Sequence, residues 1–312
     1  MSDARPPPRL TVCELLLRDG LQGWPAFVPT SDKLTLLRAI AAAGVPEIDV
    51  TSFVPSRGVP QFADADELLE VMDVTAAVRV LTVNLKGAHR VVSAHTRIRP
   101  IQRCGIPFSA SEPHNLANLR CDHATHRERV AAMIDVLGGA GVQPMIGIAT
   151  AWGCPIQGAV HPDEVLALVD WAYSLGVTSV MLGDTTGMAD PMRVEALFAD
   201  ALRRWPAINF IAHFHDNRGL GIANVLAAVR VGVTSIDGCL GGLGGEPAGV
   251  EQGEVGESGN VVTEDLVAAL ALMGYGTGID VPRLLLAGAA AERIIDRRLF
   301  SKVQRSTLRG TG

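Results

Sequence analysis

Two histidines stand one residue apart in the segment 210–219, FIAHFHDNRG. On a β-strand successive side chains point to opposite faces, so His213 and His215 share one side while Phe214 faces the other. Two imidazoles at that spacing make half a metal site. Taken alone, they are as readily two polar residues at the solvated end of a strand, and the choice depends on what the rest of the chain brings to them.

The elements that would position them recur in a regular pattern. An apolar run at 10–17 ends abruptly in Arg18, Asp19 and Gly20, which reads as a buried strand with polar residues at its carboxyl end. A helix is expected over 31–43, with Ser31 as its N-cap and Gly44 beyond its end. Strands then follow at 48–53, 77–83, 97–103, 144–150, 178–182, 209–213 and 235–239. Helices alternate with them at 64–72, 85–95, 123–138, 162–174, 191–204, 222–231 and 263–273. Eight alternations joined by short turns imply parallel strands with crossover helices. The expected fold is therefore α/β, a closed (β/α)8 TIM barrel over residues 9–280, because eight such units fit the roughly 250 residues of a typical barrel. Residues 1–8 read as a disordered leader. Residues 281–312 read as an additional C-terminal helix and tail packed on the barrel. No glycine-rich dinucleotide fingerprint follows the first strand, as an open doubly wound sheet would require.

In such a barrel the carboxyl ends of the strands converge on one mouth. Closure sets strands one, seven and eight side by side, which brings Asp19 beside His213 and His215. The glycine-rich stretch after strand eight then folds Asn260 over them. One carboxylate, two imidazoles and an amide oxygen suit a divalent ion, Mg²⁺, Mn²⁺, Co²⁺ or Zn²⁺, with positions left for water or substrate. The mouth also collects Gln22, Asp49, Ser52, Asn84, Lys86 and Asp184. Six further histidines, His89, His95, His114, His123, His126 and His161, fall on helices or polar connections and are expected at the surface.

Composition narrows the function class. The chain has 312 residues, a net charge of -6, 48% hydrophobic and 19% charged residues, with lysine and arginine scattered. No basic stripe or aromatic platform points to nucleic acid or to a membrane surface. The first residues lack the apolar run of a signal peptide and no stretch is long enough to span a bilayer, so a cytoplasmic protein is expected. Five cysteines without a close pair fit reduced thiols.

Seven segments, taken together and in order, resemble those of the 3-hydroxy-3-methylglutaryl-CoA lyase family: LLLRDGLQG, DVTSFVPSRGVPQ, VLTVNLKG, GCP, LGDTTG, HFHDNRGLGIAN and SGNVVTEDLV. The resemblance runs from about residue 10 to 300. It implies a metal-dependent lyase cutting a 3-hydroxyacyl-CoA by retro-aldol (Claisen-type) chemistry to acetyl-CoA and a keto acid. It also implies an acyl-CoA ligand and a homodimer. The family's metal ligands fall on Asp19, His213, His215 and Asn260, with Mg²⁺ or Mn²⁺ expected first. Its thioester-polarising arginine falls on Arg18, and that arginine's carboxylate partner on Asp49, where the family usually has glutamate. Gln22, Ser52 and Asp184 fall on substrate-pocket positions.

One departure is pronounced. The family's loop cysteine, the acid that protonates the leaving enolate, is replaced by Glu246 in GGLGGEP, and the loop before Asn260 is lengthened. Three readings follow: Glu246 is the proton donor, the loop is reshaped for another branched acyl-CoA, or the chain binds metal and acyl-CoA without catalysis. A condensing synthase using acetyl-CoA and a 2-oxo acid is a further reading, on the GLGIAN segment it shares. Cys239 is expected in a strand and Cys154 as a small buried thiol. Lys86 is either a contact for a CoA phosphate or a solvated helix-start lysine.

Overall fold

Why the strands close is visible in their alternation. In the computed structural model, which describes residues 9–245 and 259–306, eight parallel strands pair in chain order into a closed barrel. They are β1 (Thr11–Glu14), β2 (Glu47–Ser52), β3 (Ala77–Leu81), β4 (Arg103–Ser109), β5 (Gln143–Ala149), β6 (Ser179–Asp184), β7 (Asn209–Phe214) and β8 (Ser235–Gly238). The ring closes through β1 and β8, with Thr11 opposite Ser235 and Cys13 opposite Asp237. Along each strand one set of side chains, such as Val78 and Val80 or Ile146 and Ile148, is fully buried and apolar. These pack under the helices, where each buried aliphatic side chain contributes roughly 1.5–3 kcal/mol.

Ten helices surround the barrel among the described residues. They are α1 (Thr30–Ala42), α2 (Ala65–Val71), α3 (Leu85–Arg97), α4 (Glu112–Leu119), α5 (His123–Gly139), α6 (Pro162–Ser174), α7 (Pro191–Arg204), α8 (Gly221–Arg230), α9 (Thr263–Leu272) and α10 (Val281–Ile295). The last is held against α1: Asp280 N–H donates to Ala43 O at 2.8 Å, and Arg283 Nη1 to Ala42 O at 3.2 Å. No helix among the described residues is long and apolar enough to cross a membrane.

The barrel interior departs from the aliphatic filling usual in this fold. Its floor is polar, with Arg103 Nη1 on both oxygens of Glu47 at 2.9 Å and Arg103 Nε on Gln143 Oε1 at 3.3 Å. Above that layer the inward positions include Asp49, Arg79, His213 and Asp237, all buried.

Several sequence expectations need correction. The fourth strand lies at Arg103–Ser109, not 97–103. Residues 97–102 instead end α3 and cross beneath the barrel, where Arg99 donates to the carbonyls of Leu69, Met72 and Val74. Gly105 and Pro107 gave the true strand a turn-like composition; the Pro107 carbonyl is taken by His126 Nε2 at 2.9 Å. Helix α4 lies where no helix is expected from the sequence, and Ser111 caps it by accepting from His114 N–H at 3.3 Å. That helix and α5 bury His114 and His126, each 1% exposed, rather than leaving them at the surface. Ser31 is no cap either: α1 starts at Thr30, behind Pro29.

Candidate active site and metal centre

The apolar run at the amino end is not one strand. After Glu14 the chain leaves the ladder into a short π-helical turn at Leu16–Gly20, with Gly20 N–H donating to Leu15 O at 3.1 Å. Glu14 causes the departure, because its Oε1 takes the Leu16 N–H at 3.0 Å and the Leu240 N–H at 2.8 Å. The wide turn presents consecutive residues, Arg18 and Asp19, to the barrel mouth. Such turns are frequent at functional sites.

Arg18 is 7% exposed and fixed by two carboxylates, Nε on Asp49 Oδ2 at 2.8 Å and Nη1 on Asp19 Oδ1 at 2.6 Å. Burial works against its charge, but Asp49 and Asp19 hold it protonated above the usual arginine range. Burial likewise works to raise Asp19, and the charges of Arg18, His213 and His215 outweigh it, so its carboxyl is held well below the usual range. Asp19 is therefore an anion at any working pH.

The histidine pair meets it from β7. His213 Nε2 and His215 Nε2 are 3.1 Å apart, and His215 Nε2 is 3.9 Å from Asp19 Oδ2. One ligand atom from each of Asp19, His213 and His215 lies within 4.8 Å of the others. Asn260 is brought in by backbone pairing with the end of β7, where Val261 N–H donates to Phe214 O at 3.1 Å. Its Nδ2 donates to Asp19 Oδ2 at 2.5 Å and to Leu243 O at 3.0 Å. Gly244 (φ +109°) permits this approach, since a Cβ there would stand 2.4 Å from Asn260 Nδ2.

Two residues that the sequence did not single out tie these groups together. Asp237, on β8, accepts from His213 Nδ1 through Oδ2 at 3.1 Å and from Arg79 Nη2 through Oδ1 at 2.8 Å. Arg79, on β3 and 1% exposed, reaches back with Nε 3.6 Å from Asp49 Oδ2. A chain of alternating charge thus runs Arg18, Asp49, Arg79, Asp237, His213. The available signal was a charged residue flanked by buried aliphatics on a strand, Arg79 between Val78 and Val80 and Asp237 after Ile236.

Arg18, Asp19, Asp49, Arg79, His213, His215 and Asp237 face one cavity of about 660 Å³ at the barrel mouth, whose wall also includes Gln22, Asn84 and His114. Two residues expected at the substrate pocket bond to backbone. Ser52 is buried with its hydroxyl on Leu81 O at 3.2 Å. Asp184 spends its carboxylate on the backbone, accepting from Met188 N–H at 2.8 Å and Ala189 N–H at 3.1 Å. Burial pushes Asp184 up to about 6, against the pull of those amides. Cys239 follows β8 and is buried behind the π-helical turn, where burial pushes its thiol well up. Cys154 is buried too, accepting from Ile156 N–H and Gln157 N–H at 3.3 Å each. Lys86 is exposed in the first turn of α3. Glu246 lies outside the described residues, one position beyond Gly245, which borders the cavity.

The HMGL-like family model matches residues 9–290. The chain belongs to that family. Among curated HMGL-like relatives, the mitochondrial hydroxymethylglutaryl-CoA lyase of Bos taurus is 34% identical over 303 residues, 96% of this chain and 90% of that protein. Hydroxymethylglutaryl-CoA lyase YngG of Bacillus subtilis is 31% identical, covering 95% of this chain and 96% of its own. A solved structure of an HMG-CoA lyase from Acinetobacter baumannii, in complex with coenzyme A and 3-methylmalate, superposes with a TM-score of 0.89. It is 34% identical, and the match covers 97% of each chain.

Proposed function

We propose that this chain is a divalent-metal-dependent carbon-carbon lyase that cleaves 3-hydroxy-3-methylglutaryl-CoA to acetyl-CoA and acetoacetate. The observation that carries the reading is the convergence of Arg18, Asp19, His213 and His215 on one cavity. The relatives named as lyases of this thioester support it over a condensing synthase.

The residues fit a divalent ion. His213 Nδ1 faces Asp237, which fixes the proton there and turns the Nε2 lone pair toward His215 Nε2, 3.1 Å away. Two nitrogens so close, beside an anionic Asp19, would suit a divalent cation. Asp19, His213 and His215 would hold it. Asn260 would join through its oxygen once its amide turned over, because the nitrogen now faces Asp19. An ion bound there supplies Lewis acidity, lowering the pKa of the substrate's C3 hydroxyl. Mg²⁺ or Mn²⁺ suits the carboxylate and amide oxygens; two imidazoles also admit Zn²⁺ or Co²⁺.

The chain's own groups do the rest. Removal of the C3 hydroxyl proton by Asp19, whose carboxylate would keep a further lone pair beside the ion while both His213 nitrogens are engaged, lets the C2–C3 bond break. Its electron pair passes to the thioester as an enolate. Arg18, permanently charged and locked by Asp49 and Asp19, stabilises the enolate oxygen where that charge develops. Asp49 acts as a positioning residue for Arg18, and Gln22 as a substrate contact on the cavity wall. Glu246, which stands where the family has its loop cysteine, protonates the enolate carbon to give acetyl-CoA, a role open to a carboxylic acid in its protonated form. We further read the protein as cytoplasmic and as a homodimer, the dimer supported by Leu272, Met273 and Leu286, which are exposed apolar residues in and beside α9 and α10.

Stripping the purified protein with a chelator and restoring Mg²⁺ or Mn²⁺ should abolish and then restore cleavage. Free CoA released from acetyl-CoA and a 2-oxo acid, with no cleavage, would assign a synthase instead.

A further inference from the structure

The cavity is divided by sector. Its charged side comes from the π-helical turn, β2, β7 and β8, which supply Arg18, Asp19, Asp49, His213 and Asp237. The opposite side comes from β4, β5 and β6, and there the inward positions are Gly105, Met145, Gly147, Met181 and Gly183. Three neighbouring strands thus each place a glycine facing the same space. A Cβ on Gly105 would stand 3.2 Å from Met145 Cε; one on Gly147, 3.0 Å from Met181 Cε; one on Gly183, 3.3 Å from Met181 Sδ. The room vacated by the glycines is occupied by the two thioether chains lying across them.

That filling is soft. Methionine is unbranched with three rotatable bonds, and it gives way to a guest where a branched side chain would not. The glycine contacts are with the methionine ends, so those ends can swing aside without moving backbone. Arg79, which touches this wall, is already matched: it pairs with Asp237 at 2.8 Å and lies 3.6 Å from Asp49, and offers Met145 Sδ only a weak contact at 3.8 Å.

A 3-hydroxyacyl thioester seated as proposed turns its hydroxyl, carboxylate and thioester oxygens to the charged side. The remaining substituent on C3 then points at the methionines. We infer that this wall seats an apolar C3 substituent larger than methyl, so that the substrate class is 3-hydroxy-3-alkylglutaryl thioesters with arms of several carbons. The inference rests on the lyase reading above and deepens it: Gly105, Gly147, Met145 and Met181 set acyl specificity.

Two measurements on the metal-loaded protein separate the claims. The first is calorimetric binding of 3-alkylglutaryl-CoA analogues, which lack the hydroxyl and cannot be cut, with methyl, ethyl, propyl and butyl arms. The second is turnover of the corresponding 3-hydroxy thioesters. Affinity should rise about fourfold per added carbon, the ~0.8 kcal/mol of burying one methylene, and the butyl substrate should be cleaved. Gly147→Val and Gly105→Val, two independent variants, should each erase the gain with chain length. Flat or weakening affinity along the series, or a gain that survives both variants, would overturn the inference. Cleavage of the methyl substrate with flat affinity overturns it while leaving the lyase reading intact. Rising affinity with no cleavage of any substrate upholds the apolar seat and overturns the lyase reading.

Discussion

Asp237 Oδ2 lies 3.1 Å from His213 Nδ1, so a carboxylate at the carboxyl end of β8 decides which face of a β7 imidazole carries the proton. Burial alone would raise Asp237; Arg79 and His213 outweigh it and keep the carboxyl below its usual range. An anionic Asp237 holds the Nδ1–H tautomer and leaves Nε2 open to the cavity. Arg79 anchors the other oxygen of Asp237 from across the barrel, which fixes the imidazole's rotation as well as its tautomer.

Asp237→Asn should therefore weaken divalent-ion binding about 10- to 100-fold, the usual effect of losing a partner that orients a ligand. Calorimetric titration with Mn²⁺ reads this directly. Unchanged affinity would show that Asp237 serves only to neutralise Arg79.

Arg18→Lys keeps the charge and loses the fork that spans Asp49 and Asp19. A fall in kcat of about 10²- to 10³-fold is expected, the scale of removing one aimed donor from a developing oxyanion. Circular dichroism should show an intact fold. A kcat within fivefold of the parent would mean that Arg18 does not meet the reacting oxygen.

Glu246→Ala should lower kcat by about 10²-fold or more, the scale of a lost general acid, with a much smaller change in KM. Glu246→Cys should recover part of the loss, since a thiol can also donate the proton. Equal kcat in all three proteins would remove Glu246 from the chemistry.

Two buried carboxyls give the fold a pH signature. Burial raises Glu14 to about 7 and Glu264 to about 8, both from 4.5, even though each accepts backbone N–H groups of the loop after β8. Between pH 4.5 and these values the folded chain binds more protons than the unfolded one. Stability then falls as pH rises, with the contribution complete below about pH 4.5 and lost by about pH 8. Tm should decline across that interval, and Glu264→Gln should flatten the decline. A Tm that climbs from pH 5 to 8 would contradict this.

Much of this was legible in the sequence, for reasons that also explain what was not. Strand-helix alternation gave the barrel, and barrel closure brought Asp19, His213 and His215 together although about 190 residues separate the first from the others. Arg79 and Asp237 were missed because a single charge within a strand carries no motif; only the closed ring shows that they meet. The fourth strand was displaced because Gly105 and Pro107 resemble turn chemistry, whereas here they belong to a strand wall. Resemblance alone could not foresee that Ser52 and Asp184 engage backbone, Ser52 on the Leu81 carbonyl and Asp184 on the Met188 and Ala189 amides. His126 is expected outside, yet its ring lies tilted 4.8 Å from that of Phe108 and its nitrogen meets the Pro107 carbonyl, a pairing created only by folding.

The central claim is tested most directly by incubating the Mg²⁺- or Mn²⁺-loaded protein with 3-hydroxy-3-methylglutaryl-CoA and quantifying both products over time. Acetyl-CoA and acetoacetate should appear in equal amounts, and His213→Ala should produce neither. An absence of both products from the loaded parent protein, or their undiminished formation by His213→Ala, would contradict the account.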